Sequence, residues 1–298
     1  MSDTFRLKLP ATSANLGPGF DALGLAMRLY LEVEAVAAAK FRIDATGRNA
    51  ELVGSLDRNL MVDTYRSLAA DGPALELQID NGIPLGMGCG SSAAALLAGV
   101  FLANHFGKLG LSPAQILSEA CRREGHPDNV AACFYGGLTA SAMEGGNVTA
   151  ASFGSGLDWR LLVVLPGEGL ATTKARALLP DAYSRADAVA NIQATALLVS
   201  AFALDRPRLL AAGTRDQVHQ PYRSAACPLL PLLLPLSGVN DVFSVTLSGA
   251  GPSVLLIVDP KAEIPRIVER IRVAAGDPKL EILETGIAKG ATRTTPLK

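Results

Sequence analysis

Apolar and polar residues alternate through three early stretches of the chain. Phe5, Leu7 and Leu9 do so in TFRLKL, Leu29, Leu31 and Val33 in LYLEVEAVA, and Leu75, Leu77 and Ile79 in ALELQID. A period of two puts every second side chain on one face. These stretches therefore predict strands of a sheet buried on one side, unlike the all-apolar strands of a parallel sheet covered on both. Helical patterns are expected over 59–70, 91–106 and 113–123, the last opened by Ser112-Pro113, a cap followed by proline at the first helical position. A Gly- and Ser-rich stretch, EGGNVTAASFGSGLD, marks a boundary near 144–158 and predicts two units, 1–152 and 153–298. Beyond it, WRLLVVLPG, VFSVTLS and SVLLIVD predict strands, roughly 184–212 a long helix, and IPRIVERIRVAAG an amphipathic helix. Strands and helices mix without strict alternation, so the expected class is α+β in two lobes.

Composition narrows the function. The 298 residues are 49% hydrophobic and 18% charged, enough apolar material for a sizeable core. A net charge of −1 lacks the dense basic face that nucleic acid requires. Cys89, Cys121, Cys133 and Cys227 form no C-x-x-C pair, and with three histidines they do not resemble a zinc site. Reduced thiols in a cytoplasmic protein are expected. The apolar run AAALLAGVFLA is too short to span a membrane. Pro228, Pro231 and Pro235 break CPLLPLLLPLSG, which reads as a packed connector.

The stretch from Pro84 to Gly99, PLGMGCGSSAAALLAG, looks like a phosphate loop feeding a helix. It has no lysine, so it is not a Walker loop. Gly88, Gly90 and Ala93 match G-x-G-x-x-[GA] formally, but Pro84 separates them from an alternating strand and no acid follows until Glu119, as a dinucleotide fingerprint would not have it. A serine-capped turn without ligand stays open. So does a lysine-free anion loop, in which Gly86, Gly88 and Gly90 bring backbone N–H groups to a ligand at a helix N-terminus.

Two further stretches join this loop: PATSANLGPGFDALGLAM (10–27) and GAGPS (249–253). The three-part pattern resembles the superfamily of galactokinase, homoserine kinase, mevalonate kinase and phosphomevalonate kinase. With EGHPDNVAACFYGG (124–137), it is most similar to the homoserine kinase family, over nearly the whole chain. The resemblance implies an N-terminal, ATP-binding lobe like ribosomal protein S5 domain 2 and a ferredoxin-like C-terminal lobe. It also implies transfer of the ATP γ-phosphoryl group to the L-homoserine hydroxyl, in threonine biosynthesis. A sister kinase acting on mevalonate or a methylerythritol derivative, or a non-catalytic metabolite-binding relative, are the alternatives. A homodimer is expected by analogy.

The same resemblance implies the site. Pro84, Leu85, Gly86, Met87, Gly88, Cys89, Gly90, Ser91 and Ser92 would hold the phosphates, and Asn59 would lie near the adenine. Ser92 and Glu124 would hold Mg²⁺, hard oxygen donors for a hard cation. Homoserine is a zwitterion, so its site needs an anion, cations and a group that orients the hydroxyl. Asn15 and Asp21 match the ammonium side, and Arg176 and Arg223 match the carboxylate-binding arginines, whose planar forks suit a carboxylate. His126 and Thr172 match pocket residues, and Asn129 the residue that orients the hydroxyl. Asp128 matches the aspartate that mevalonate kinase-like relatives use. Two positions depart from the family: Met87 stands where a basic residue is frequent, and Cys89 replaces leucine. At a helix N-terminus the Cys89 thiol is expected either to become acidic or to act as a small apolar filler.

Overall fold

In the computed structural model, which describes residues 4–167, 169 and 172–294 (with the side chains of Thr172 and Thr173 left out), the chain begins on two long antiparallel strands. They are β1 (Phe5–Asn15) and β2 (Gly19–Ala38), followed by β3 (Arg42–Gly47), α1 (Ala50–Val53), α2 (Leu60–Leu68) and β4 (Ala74–Asn81). Then come α3 (Ser91–Phe106), α4 (Pro113–Glu124), α5 (Asp128–Tyr135), β5 (Leu138–Glu144) and β6 (Asn147–Phe153). The second half holds β7 (Arg160–Leu165), α6 (Thr172–Arg176), α7 (Arg185–Ala203), α8 (Leu210–Gly213), α9 (Gln220–Arg223) and α10 (Leu229–Leu233). It ends on β8 (Val242–Leu247), β9 (Val254–Val258), α11 (Ile264–Ala275), β10 (Glu281–Gly286) and β11 (Thr292–Thr294).

The first sheet runs β11-β1-β2-β4-β3, with the β5–β6 hairpin paired to β2. Phe5, Leu7 and Leu9 are buried, while Arg6 and Lys8 on the opposite face pair with Glu34 and Glu32. The register of β1 on β2 shifts between Pro10 and Ala11 and again between Ala14 and Asn15. Proline offers no N–H to the ladder, and a bulge accommodates it. Beyond the second shift, Asn15, Leu16 and Gly17 take positive φ (70°, 50° and 84°), and the chain reverses into β2.

The second sheet is β10-β7-β9-β8, wholly antiparallel. Its central strands show no polar alternation because both faces are covered. Leu161 and Val163 of β7 enter the core shared with the first sheet, and Leu162 and Val164 enter a second core with α10 and α11. This is the expected α+β arrangement in two lobes.

The Gly-rich stretch near 144–158 contains β6, the outer strand of a hairpin, and the turns that lead on to β7. Local detail differs from expectation in one place. The helix expected over 184–212 stops at Ala203: Asp205 has φ 51°, and Pro207 begins a separate 3₁₀ turn. Among the described residues α7 is the one helix long and apolar enough, by length and composition, to cross a membrane. It docks through Asn191 and Thr195, which both donate to the Pro18 carbonyl.

Candidate active site

The loop from Pro84 to Gly90 is shaped by three left-handed glycines, Gly86, Gly88 and Gly90, with φ of 70°, 74° and 69°. Its carbonyls are tied away from the helix it opens. Cys89 O accepts from Thr12 N at 3.0 Å, and Gly88 O accepts from Ser248 Oγ at 2.8 Å. Gly90 is the N-cap of α3 and supplies no side-chain cap, and the first turn carries no acid. The positive end of a 16-residue helix is thus left open to an anion. Ser91 and Ser92 lie between two cavities, one apolar and one polar.

The apolar cavity encloses about 790 Å³, its open mouth included, and is lined by Val53, Leu60, Ile83, Leu85 and Ala95 among others. Asn59 also lines it, but its side chain is committed to structure. Its Oδ1 caps α2 by accepting from Val62 N, and its Nδ2 donates to Val53 O and Ser55 O. Asn59 can therefore shape this pocket, while its own hydrogen-bonding capacity is taken up by the helix cap.

The polar cavity encloses about 690 Å³ and brings three loops together. At one side Ser92 Oγ donates to Glu124 Oε2 at 2.8 Å. Burial raises the Glu124 carboxyl, and the Ser92 bond offsets this only in part. A hydroxyl and a carboxylate at the open end of a helix form a donor set that suits a small hard cation.

Asp21, His126, Asp128 and Asn129 line the same cavity. Asp128 is buried and accepts from Asn129 N at 2.7 Å, and its Oδ1 lies 2.6 Å from His126 Nδ1. Burial alone would lower the His126 pKa, but its bond to Asp128 together with the Asp128 and Glu124 charges raises it. Asn129 Oδ1 accepts from Thr12 Oγ1 at 2.7 Å, which fixes the amide oxygen toward β1. Asp21 has φ 55°, and its N–H donates to Asn15 Oδ1. Asn15 Nδ2 in turn donates to Gly249 O at 2.9 Å, joining the first motif to GAGPS.

Two arginines complete the wall. Arg176 donates to both oxygens of Asp21, at 3.0 and 2.5 Å, a bidentate pair that is about one-third exposed. Arg223 is 1% exposed, and burial lowers its pKa. Among the described residues no carboxylate stands within ion-pair distance of it. A buried guanidinium without a counter-ion is costly, so its position at a cavity wall favours an anionic ligand there.

Comparison with known proteins fits this geometry. The GHMP kinases N-terminal domain matches residues 59–137, the segment that runs from α2 through the glycine loop to the end of α5. A homoserine kinase from Solibacter usitatus is 46% identical over 273 residues, which cover 90% of each chain. The chain belongs to the homoserine kinase family. A family member from Streptomyces coelicolor is 42% identical, over 85% of this chain and 84% of its own. The solved homoserine kinase from Cytophaga hutchinsonii shares the fold, with a TM-score of 0.82 at 23% identity over 99% of this chain and 98% of that one. A mevalonate diphosphate decarboxylase from Staphylococcus aureus has the same fold at a TM-score of 0.69 and 15% identity, over 99% and 98%.

With the family in hand, the unusual loop residues have plain explanations. Cys89 is 1% exposed, packs into the first core, and has its thiol pushed up to about 12 by burial. Of the two expectations for this thiol the apolar filler therefore holds, because burial outweighs the lowering influence of Arg48. Met87 packs partly buried against the same core. The Thr172 side chain lies outside the described residues. Three residues that shape the site escaped the sequence reading: Thr12, Ser248 and His219. Thr12 and Ser248 lie beside quoted motifs, in PATSAN and just before GAGPS, but only their bonds to Asn129 and Gly88 give them a role. His219 lies four residues before Arg223, but its other partner, Gly17, is 202 positions away and could not be anticipated.

Proposed function

We propose that this chain transfers the γ-phosphoryl group of ATP to the side-chain hydroxyl of L-homoserine. The observation that carries the reading is the pairing of opposite charges beside an open helix end. Asp21, Arg176 and Arg223 form one wall of the cavity, and the uncapped N-terminus of α3 lies across it. Asp21 and Arg176 form an ion pair with each other. A zwitterionic amino acid offers both a replacement cation and a replacement anion. Its ammonium would take Asp21, and its carboxylate would take Arg176 together with Arg223.

The apolar pocket would receive the nucleotide base, and the glycine loop its phosphates. Ser92 and Glu124 would hold a Mg²⁺ ion, which when bound neutralises developing charge on the phosphoryl oxygens. The chain's own part is mainly positioning, as a loose phosphoryl-transfer transition state requires. Asn129, with its oxygen held by Thr12, presents its amide to the acceptor hydroxyl. The buried Asp128 carboxylate, bound to His126 and to Asn129 N, holds these two residues in place rather than acting as a free base.

A coupled ADP-release assay with homoserine, threonine, serine and mevalonate tests the proposal. Homoserine should stimulate turnover well above the others. Stimulation by mevalonate alone would assign a sister activity, and no stimulation by any alcohol would remove the kinase reading.

A further inference from the structure

His219 lies between the two lobes, fully buried, and no step above uses it. Its two ring nitrogens face partners that leave a single arrangement of protons. Nε2 is 2.8 Å from the Gly17 carbonyl, which can only accept, and Asp216 Oδ2 is also near, at 3.4 Å. Nδ1 is 3.2 Å from Arg223 Nη1, which can only donate. The imidazole is therefore neutral, with its proton on Nε2 and its lone pair toward the guanidinium. Burial lowers its pKa in the same direction, and Arg223 adds to the effect.

We infer that His219 is the positioning residue for Arg223: it aims the guanidinium at the substrate carboxylate and ties that aim to the Asn15–Asp21 loop. Arg223 is anchored along one edge. Nε donates to Ala175 O at 3.1 Å, and Nη1 donates to His219 Nδ1 and Gly249 O. The structure gives Nη2 no protein partner among the described residues, and Arg223 lines the polar cavity. His219 is the one side chain in this set of acceptors; it reaches the other lobe through Gly17, as the Gly249 carbonyl does through Asn15. That junction is tight: a Cβ at Gly17 would fall 2.3 Å from the Thr214 carbonyl oxygen. The backbone of His219 is pinned as well, since Asp216 accepts from the N–H groups of Val218, His219 and Gln220. The Phe20 ring lies 5.6 Å from the imidazole and about as far from the Arg176 and Arg223 guanidinium groups.

The inference rests on the homoserine reading, and the experiment separates the two. Steady-state kinetics are measured for the wild type, His219→Ala, His219→Asn and His219→Gln, with thermal unfolding of each. Asparagine can place an acceptor where Nδ1 stands, whereas glutamine reaches the Nε2 position. His219→Ala should raise the KM for homoserine by about tenfold or more, as loss of a hydrogen bond to a charged group implies, with the KM for ATP unchanged. His219→Asn should recover most of that loss, and His219→Gln should not. On an Arg223→Ala background, His219→Ala should add no further change in the homoserine KM. A full His219→Ala effect on that background, equal rises in both KM values, or no rescue by asparagine would assign His219 a merely structural role and overturn the inference. A wild type that homoserine does not stimulate would instead overturn the function.

Discussion

Replacing Gly90 by alanine tests how tightly the glycine loop is packed against β1. A Cβ at Gly90 would lie 1.9 Å from Thr12 Oγ1 and 3.1 Å from Thr12 Cβ, at a φ of +69°. Thr12 Oγ1 would have to move by about 1 Å, since non-bonded heavy atoms settle no closer than ordinary van der Waals contact. That movement breaks its 2.7 Å bond to Asn129 Oδ1. Left-handed alanine costs about 1 kcal/mol, the lost bond about 1 kcal/mol, and overpacking about 1–3 kcal/mol. The total, about 3–5 kcal/mol, corresponds to a fall in Tm of about 6–10 °C for a chain of this size. Gly86 is the internal control: it has a similar φ of +70° but nothing within 4 Å of its Cβ position. Gly86→Ala should cost only the conformational part, about 1 kcal/mol. Thermal unfolding reads the stabilities, and the ADP-release assay reads turnover, which should fall in Gly90→Ala as Asn129 is released. The double variant Thr12→Ala/Gly90→Ala should lose less than the sum of its parts, because one substitution relieves the clash of the other. Equal losses for Gly86→Ala and Gly90→Ala, or a Gly90→Ala enzyme with unchanged turnover, would refute the steric reasoning.

Other expectations follow from the same site. Asn129→Ala should lower kcat at least tenfold with the KM for ATP intact, as loss of an orienting contact requires; unchanged kcat would remove Asn129 from the reaction. Glu124 has a raised folded-state pKa, so its contribution to stability is present below the ordinary carboxylate value and is lost as pH rises through the folded value. In EDTA, Glu124→Gln should therefore gain in Tm relative to the wild type as pH rises from about 5 to about 8, while losing Mg²⁺-dependent turnover; parallel Tm profiles would contradict this. Cys89, buried and with its thiol at about 12, should resist alkylation in the native protein. Mass spectrometry showing Cys89 among the first thiols labelled would oppose its role as a filler.

Much of the architecture was legible in the chain because it depends on neighbours in sequence. The alternation of Phe5, Leu7 and Leu9 and the Ser112-Pro113 start signal gave β1 and α4 directly, and Ser112 caps α4 as a full capping box with Gln115. The residue types around the phosphate loop, and its feeding of a helix at Ser91, were equally local. The early end of α7 had a local signal too, in Asp205 and Pro207. For Cys89 the sequence left two fates open. A thiol at a helix N-terminus becomes acidic or inert according to its burial, and burial here comes from a core assembled from both lobes.

The sequence by itself determined which groups are available and which backbone shapes they permit. It supplied glycines where φ is positive, serines at a helix start, and both signs of charge for a zwitterion. Tertiary structure alone decided the pairing. Asp21 meets Arg176 across 155 positions, Thr12 holds Asn129 across 117, and Gly17 meets His219 across 202. Hydrogen bonds and ion pairs act over a few ångströms, and no periodicity along a chain records which distant segments the packing of two lobes will bring that close.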